Sequence, residues 1–350
     1  MTRLAVVGAS GAVGTTMLGL LRERKFPAEE IVAFASERSA GREIEGLTVR
    51  ALTTVQDIDG FDLALFSAGS GVSREWAPRF AQRGTVVVDN SSYWRMKPDV
   101  PLVVAEVNPE AIARHQGIIA NPNCSAMQAL VVLKPIHDAA GLERIVFSSY
   151  QSVSGTGARA VEELKDQAEA ILHEIEPPAP EVYPHRIAFN VLPQVETFKD
   201  GDDYTTEERK VIAESRKILG LPELRITATC ARVPVINCHS EALNVQTRDE
   251  LSPEDCRQLL ARAPGVLVVD DPAAGRYPLA SEASGRDEVL VGRIRRDDSN
   301  PRTLHLWVVG DNLRKGAATN AIQIAELLLA RGLTPRRAGS PVRRGVAAPR

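Results

Sequence analysis

The 350-residue sequence predicts an α/β protein in two parts: a doubly wound N-terminal domain and an α+β domain built on a mixed sheet. Three observations carry this. Short apolar runs alternate with helical stretches through the first third of the chain. A glycine turn, Gly8-Ala-Ser-Gly11-Ala-Val-Gly14, joins the first apolar run to the first helical one. After Cys124 that rhythm stops, and longer strands follow one another.

The early strands are expected at Leu4–Val7, Ile31–Ala35, Leu63–Phe66, Val86–Asp89, Val103–Ala105 and Ile118–Ala120. They are short and continuously apolar, as parallel strands covered on both faces are. Helices expected at Gly11–Arg24, Ser73–Arg83 and Pro109–His115 lie between several of them, which is βαβ order. Asn123 is a natural N-cap for a buried helix running from Ser125 through Leu133. Beyond it the sequence reads as a strand Arg144–Val153, a helix Arg159–Ile175, a proline-rich loop Pro177–Pro180 and a helix Glu207–Leu219. Strands near Ile226–Val233 and Glu241–Thr247, a helix Pro253–Arg262, and strands near Val289–Ile294 and Leu304–Val309 complete the second domain. A last helix opens from Asp311-Asn-Leu-Arg-Lys-Gly-Ala-Ala318, ends near Arg331 and is expected to return to the first domain. The expected boundaries are 1–124 for the nucleotide domain, completed by a helix over 313–331, and 125–312 for the second domain. A basic, disordered tail is expected over 334–350.

Apolar residues make up 44% and charged residues 25%, the balance of a soluble globular protein. A net charge of −3 gives no reason to expect nucleic acid as a partner. No apolar run reaches membrane length, and the N-terminus lacks a signal-peptide cleavage pattern. Cys124, Cys230, Cys238 and Cys256 have neither metal-ligand spacing nor a dense disulfide pattern, so no metal is expected and a reducing cytoplasm is.

The candidate nucleophile is Cys124 in Asn121-Pro-Asn-Cys-Ser125. A thiol in the first turn of a helix, near free N–H groups, is expected to have a lowered pKa. The Gly8–Gly14 turn, placed between a strand and a helix, favours nucleotide binding, its glycines letting phosphate approach the backbone and the helix N-terminus facing the pyrophosphate. At the end of the second strand Glu37 alone would suggest NAD. Arg38 and Ser39 together suit a 2′-phosphate, which favours NADP.

Arg232 closes one expected strand and His239 opens the next, which makes His239 the histidine of most site-like context. Thr205 and Glu208 form an expected capping box. Glu207 and Lys210 share a helix face, most often the mark of a surface ion pair. Arg95 follows a strand end where open α/β sheets place ligands, and is a candidate anion clamp. Gln151 is a candidate orienting donor, and Ser154-Gly155 allows close approach of a cofactor.

Together these motifs resemble the aspartate-semialdehyde dehydrogenase family. The matching pieces are Gly8–Gly14, Asn90-Ser-Ser with Arg95, Asn121-Pro-Asn-Cys124, Gln151-Ser-Val-Ser-Gly155 and Glu207-x-x-Lys210. Arg232-Val-Pro-Val…His239-Ser and Gly310–Ala318 complete the set, in the family's order over about residues 1–331. The resemblance implies a Rossmann-type domain with a catalytic and dimerisation domain like that of glyceraldehyde-phosphate dehydrogenase. It also implies an NADP-dependent homodimer or dimer of dimers serving lysine, threonine and methionine biosynthesis. It makes Cys124 the nucleophile that forms a thioacyl enzyme, His239 the acid/base and Gln151 the residue that orients the carbonyl. It gives Arg232 the substrate α-carboxylate, Glu207 the amino group, and Arg95 and Lys210 the phosphate. Asn123 joins the substrate-binding residues, and Ser10–Val13, Arg38, Ser39, Ser154, Gly155 and Asn312 lie against the cofactor. One departure stands out: Cys238 precedes His239 where the resemblance implies glycine, which is expected to shift the histidine loop slightly. An N-acetyl-glutamyl-phosphate reductase is the nearest alternative. Its acylated substrate has no free amine for Glu207 to hold.

Overall fold

The computed structural model describes residues 2–334. Beyond residue 334, the expected basic tail lies outside them. Two six-stranded sheets carry the chain. The first is wholly parallel and is formed from β1 (Arg3–Val7), β2 (Glu30–Ala35), β5 (Arg50–Ala51), β6 (Leu63–Phe66), β7 (Val86–Asp89) and β8 (Ile118–Ala120). A two-stranded hairpin of β3 (Glu43–Ile44) and β4 (Leu47–Thr48) stands apart. The order of the first sheet is β5-β2-β1-β6-β7-β8. α1 (Ala12–Glu23) follows β1 and α2 (Gly69–Gln82) follows β6, so the order reverses between β1 and β6. The crevice at that switch point is where such sheets bind ligands.

The second sheet follows α3 (Cys124–Ala140) and is mixed. Its strands are β9 (Leu142–Gln151), β10 (Arg225–Arg232), β11 (His239–Thr247), β12 (Val266–Val268), β13 (Val289–Arg296) and β14 (Thr303–Gly310), in the order β10-β9-β11-β14-β13-β12. α4 (Ala158–Leu172) and α5 (Thr206–Leu219) lie between β9 and β10, and α6 (Pro253–Leu260) follows β11. α3, α5 and α6 bury their apolar sides against one face of this sheet, in a cluster that includes Leu130, Leu133, Phe147, Val211, Leu243 and Leu260. On the opposite face Tyr150 and Trp307 pair at 5.5 Å. α7 (Ala280–Ala283) precedes β13. α8 (Asn320–Ala330) closes the described chain and packs Ile322, Ile324 and Leu328 into the cluster formed with β1, β6 and α1. No helix among the described residues is long and apolar enough to cross a membrane.

Two expected elements differ. Val103–Ala105 is not a strand, apart from a bridge from Leu102 to Ala120. Val103 N–H still bonds the Ala120 carbonyl, but side chains take several of the other backbone groups: Asn108 accepts from Val104 N–H and donates to the Leu102 carbonyl, both at 2.9 Å. Asn320 accepts from Ala105 N–H and donates to the Val103 carbonyl, also at 2.9 Å. The helix expected at Pro109–His115 is a tighter 3₁₀ turn, Pro109–Arg114. The last helix begins as a π-helical segment, Arg314–Thr319, before α8.

Candidate active site

One cavity of about 740 Å³ opens between the two sheets. Cys124, Arg95, Asn123, Gln151, Glu207, Lys210, Arg232 and His239 line it, together with Val13, Ser154, Gly155 and Asn312. Most arrive from the ends of elements, and Arg95 from the loop after β7. Cys124 is the first residue of α3, directly after the Asn123 N-cap. Gln151 ends β9, Arg232 ends β10 and His239 starts β11. The β9–β10 pair is parallel and the β9–β11 pair antiparallel, so these three ends meet at one edge of the sheet. The expected surface pair Glu207–Lys210 lies inside this site, and Glu207 is buried.

A hydrogen-bond chain fixes the floor. Asn123 Oδ1 accepts from the N–H groups of Ser125 and Ala126, each at 3.0 Å. Its Nδ2 donates to Glu207 Oε1 at 2.8 Å. Gln151 Nε2 donates to Ser125 Oγ at 2.8 Å and to Glu207 Oε1 at 3.2 Å. Glu214 accepts from Asn123 N–H at 2.6 Å and from Arg95 Nη1 at 3.1 Å. Lys210 is held by Glu196, with Glu207 at 3.7 Å. Glu196 and Glu214 escaped the sequence reading. The signal for Glu214 was present, because Glu207, Lys210 and Glu214 recur at helical spacing on one face.

His239 is fully buried. Its Nδ1 accepts from Ser152 N–H at 3.0 Å, which leaves the ring proton of the neutral form on Nε2. Burial, reinforced by Arg232, pushes the His239 pKa down to about 3. Arg232 Nη1 donates to the Ser152 carbonyl at 2.6 Å. Arg95 Nε, Arg232 Nε and His239 Nε2 are buried and have no hydrogen-bond partner.

The expected lowering of the thiol pKa is overturned. Burial, and then the nearby Glu207 carboxylate, push the Cys124 thiol up to about 12, against the pull of Arg95, Arg232 and the Ser125 N–H. The first-turn N–H groups that were expected to be free are engaged by Asn123. Gly316 lies so close that a Cβ there would stand 2.9 Å from Cys124 Cβ.

The glycine turn sits at the switch point. Gly8 has φ +90, and a Cβ on it would come within 2.4 Å of the Ser67 carbonyl oxygen at the end of β6. A Cβ on Gly14 would meet the Gly8 carbonyl at 2.1 Å, so α1 lies directly on the turn. Gly11 caps α1 without a side-chain hydrogen bond, and Ser10, Gly11 and Ala12 are exposed. Arg38 and Ser39 lie in a 3₁₀ turn after β2, outside the cavity, and Arg38 is exposed. Asn312 binds the histidine loop: its Oδ1 accepts from Cys238 N–H at 2.9 Å, and its Nδ2 donates to Ser154 Oγ at 2.9 Å. Cys238 has φ 74, a left-handed conformation that suits glycine better than cysteine.

Comparison with known proteins fits this geometry. The model of a semialdehyde dehydrogenase NAD binding domain matches residues 3–115, and that of a semialdehyde dehydrogenase dimerisation domain matches residues 133–315. The aspartate-semialdehyde dehydrogenase of Aquifex aeolicus is 53% identical over 337 residues, covering 95% of this chain and 99% of that one. This chain belongs to the aspartate-semialdehyde dehydrogenase family. The Bacillus subtilis aspartate-semialdehyde dehydrogenase is 46% identical, covering 93% of this chain and 96% of its own. Among solved structures, aspartate semialdehyde dehydrogenase II of Vibrio cholerae complexed with ASA superposes with a TM-score of 0.90 at 46% identity, covering 94% and 98% of the two chains. The Candida albicans family member solved with NADP superposes at 0.73 with 25% identity, covering 95% and 99%. The two-domain fold expected from the sequence, a Rossmann-type domain with a dimerisation domain, is thus the family's own.

Proposed function

We propose that this chain reduces L-aspartyl 4-phosphate to L-aspartate 4-semialdehyde with NADPH and releases phosphate, by way of a thioacyl group on Cys124. The observation that carries this is the set of three unpartnered buried nitrogens, on Arg95, Arg232 and His239, lining one cavity with a thiol. Buried donors without partners are costly. An anionic, carbonyl-bearing substrate satisfies them.

Arg232 matches the substrate α-carboxylate with its guanidinium fork. Glu207 receives the ammonium group. Arg95 and Lys210 meet the phosphate, which requires Lys210 to share its charge with Glu196. Cys124, as thiolate, attacks the acyl carbon. The C–S bond forms, the C–O bond breaks, and phosphate leaves with the electron pair beside Arg95. Gln151 and Asn123 orient the acyl group and the thiol. His239 donates from Nε2 toward the carbonyl oxygen, where negative charge develops. The thiol proton goes to His239 as base, at Nδ1, and for this the ring must first part from the Ser152 N–H.

The glycine turn fits a dinucleotide. The close approach at Gly8 and Gly14 leaves no room for side chains, and the uncapped N-terminus of α1 is open to a pyrophosphate. Gly8, Ser10, Gly11, Ala12 and Val13 would hold it, Arg38 and Ser39 would hold the 2′-phosphate, and Ser154, Gly155 and Asn312 would flank the nicotinamide end. When bound, the cofactor supplies the hydride that reduces the thioester. The matched dimerisation-domain model supports a homodimer. The free state of all four cysteines fits a cytoplasmic enzyme.

The test is phosphate-dependent formation of reduced nucleotide from aspartate semialdehyde, with NADP and NAD compared. We expect turnover with NADP, none in Cys124→Ala, and an approximately tenfold weaker KM for NADP but not for NAD in Arg38→Ala. Faster turnover of N-acetyl-glutamate semialdehyde, or phosphate-independent turnover, contradicts the assignment.

A further inference from the structure

β11 carries His239 and Glu241 on the same buried side. Glu241 is fully buried, and neither of its carboxyl oxygens has a hydrogen-bond donor. The side chain that acts on it is Gln128 of α3, whose pull toward the ionised form is weaker than the opposing effect of burial. One N–H of the Gln128 Nε2 amide donates to the His239 backbone carbonyl at 3.1 Å. Turning that amide over would set two acceptors face to face. The remaining Gln128 oxygen is buried and lacks a donor too. It is packed against Gly310, where a Cβ would meet it at 2.8 Å, and Gly310 pairs with His239 across the β11–β14 ladder.

Three acceptor oxygens therefore stand together with no protein donor. An ionised carboxylate here would be desolvated without compensation. No lysine or arginine among the described residues acts on Glu241. Cys230 on β10 feels Glu241 together with Glu207 and Glu208 of α5, so the ionisable groups nearby repel negative charge. Opposite it in register stand Ser149 of β9 and Val308 of β14. Burial accordingly holds the Glu241 carboxyl well above its usual range. One proton resolves the conflict: a neutral Glu241 has no charge to desolvate and brings its own O–H donor beside Gln128, whose amide donates onward to the His239 carbonyl.

We propose that Glu241 is a positioning residue for His239, present as the neutral acid and linked to it through Gln128 and the His239 carbonyl. The claim rests on the reading of His239 as a reacting group. The two spectroscopic measurements below need no substrate, so their failure is distinguishable from failure of that reading.

An infrared difference spectrum of wild type minus Glu241→Gln, at neutral pH, should show the C=O band of a protonated carboxylic acid. Glu241→Gln keeps a donor of the same shape, so kcat should stay within about twofold. Glu241→Leu removes the donor and should lower kcat about tenfold with little change in KM. The ring-nitrogen resonance of His239 should move in Glu241→Leu and stay in place in Glu241→Gln. A carboxylate band in place of the acid band overturns the proposal. So does Glu241→Gln impaired as deeply as Glu241→Leu, or Glu241→Leu with full kcat. If Glu241→Leu fails to fold, the infrared spectrum and the glutamine variant still decide.

Discussion

At the scale of single residues, Cys124 shows how local position and surroundings compete. A helix start favours a thiolate, but burial and Glu207 outweigh it here, and the thiol of the free protein stands near 12. The thiolate fraction at neutral pH is therefore small and should climb about tenfold per pH unit. Iodoacetamide should label Cys124 slowly, at a rate still rising past pH 9. Removing the neighbouring charge separates two effects. Glu207→Gln should label about three- to tenfold faster at fixed pH, because a source of repulsion is gone. The same variant should turn over more slowly, because the role proposed for Glu207 is to hold the substrate ammonium. Peptide mapping of the labelled site checks the first outcome and steady-state assays the second. An unchanged labelling rate would mean that Glu207 does not set the thiol pKa. His239 shows the same logic for a base. Burial holds its pKa near 3, below that of the unfolded chain, so its contribution to stability is present above the unfolded pKa and is lost as pH falls below about 6.5.

At the scale of elements, the ends of strands and helices do the work. Arg232 and His239 terminate neighbouring segments, and the six residues between them form the loop that sets their separation. The Cys238 backbone in that loop is left-handed and tied to Asn312, a conformation that glycine adopts with less strain than cysteine. α5 presents Glu207 and Lys210 to the cavity and holds Glu214 behind it, against Arg95 and the Asn123 N–H, while the Thr205–Glu208 box caps its start. α8 has a different task. Leu328 is fully buried in the cluster of the parallel sheet, although it stands more than 300 residues from β1. Leu328→Ala should cost about 2–5 kcal/mol of unfolding free energy, read from urea midpoints. A loss below about 1 kcal/mol would show that this helix contributes little to the nucleotide domain.

At the scale of the whole molecule, two sheets meet around one cavity, and the sequence revealed the pieces better than their meeting. The parallel sheet was legible because Leu4–Val7, Leu63–Phe66 and Val86–Asp89 are apolar throughout and bracketed by turns. The Val103–Ala105 run looked alike but is satisfied in part by the side chains of Asn108 and Asn320, and Asn320 lies more than 200 residues away. Strand composition does not report such a partner. Cys124 and His239 were legible as candidates, yet only the antiparallel pairing of β9 with β11 brings the histidine to the head of α3. The thiol pKa was misread for the same reason: Glu207 approaches it through space, not through the chain. The identity of the nucleophile unites the site, and trapping it is the decisive measurement. The protein is mixed with aspartate semialdehyde and NADP without phosphate, quenched in acid and examined by intact mass and peptide mapping. A single aspartyl adduct on the Cys124 peptide, discharged when phosphate is added and absent from Cys124→Ala, is the expected result. Phosphate-dependent turnover that persists in Cys124→Ala, or an adduct on another residue, would contradict the mechanism.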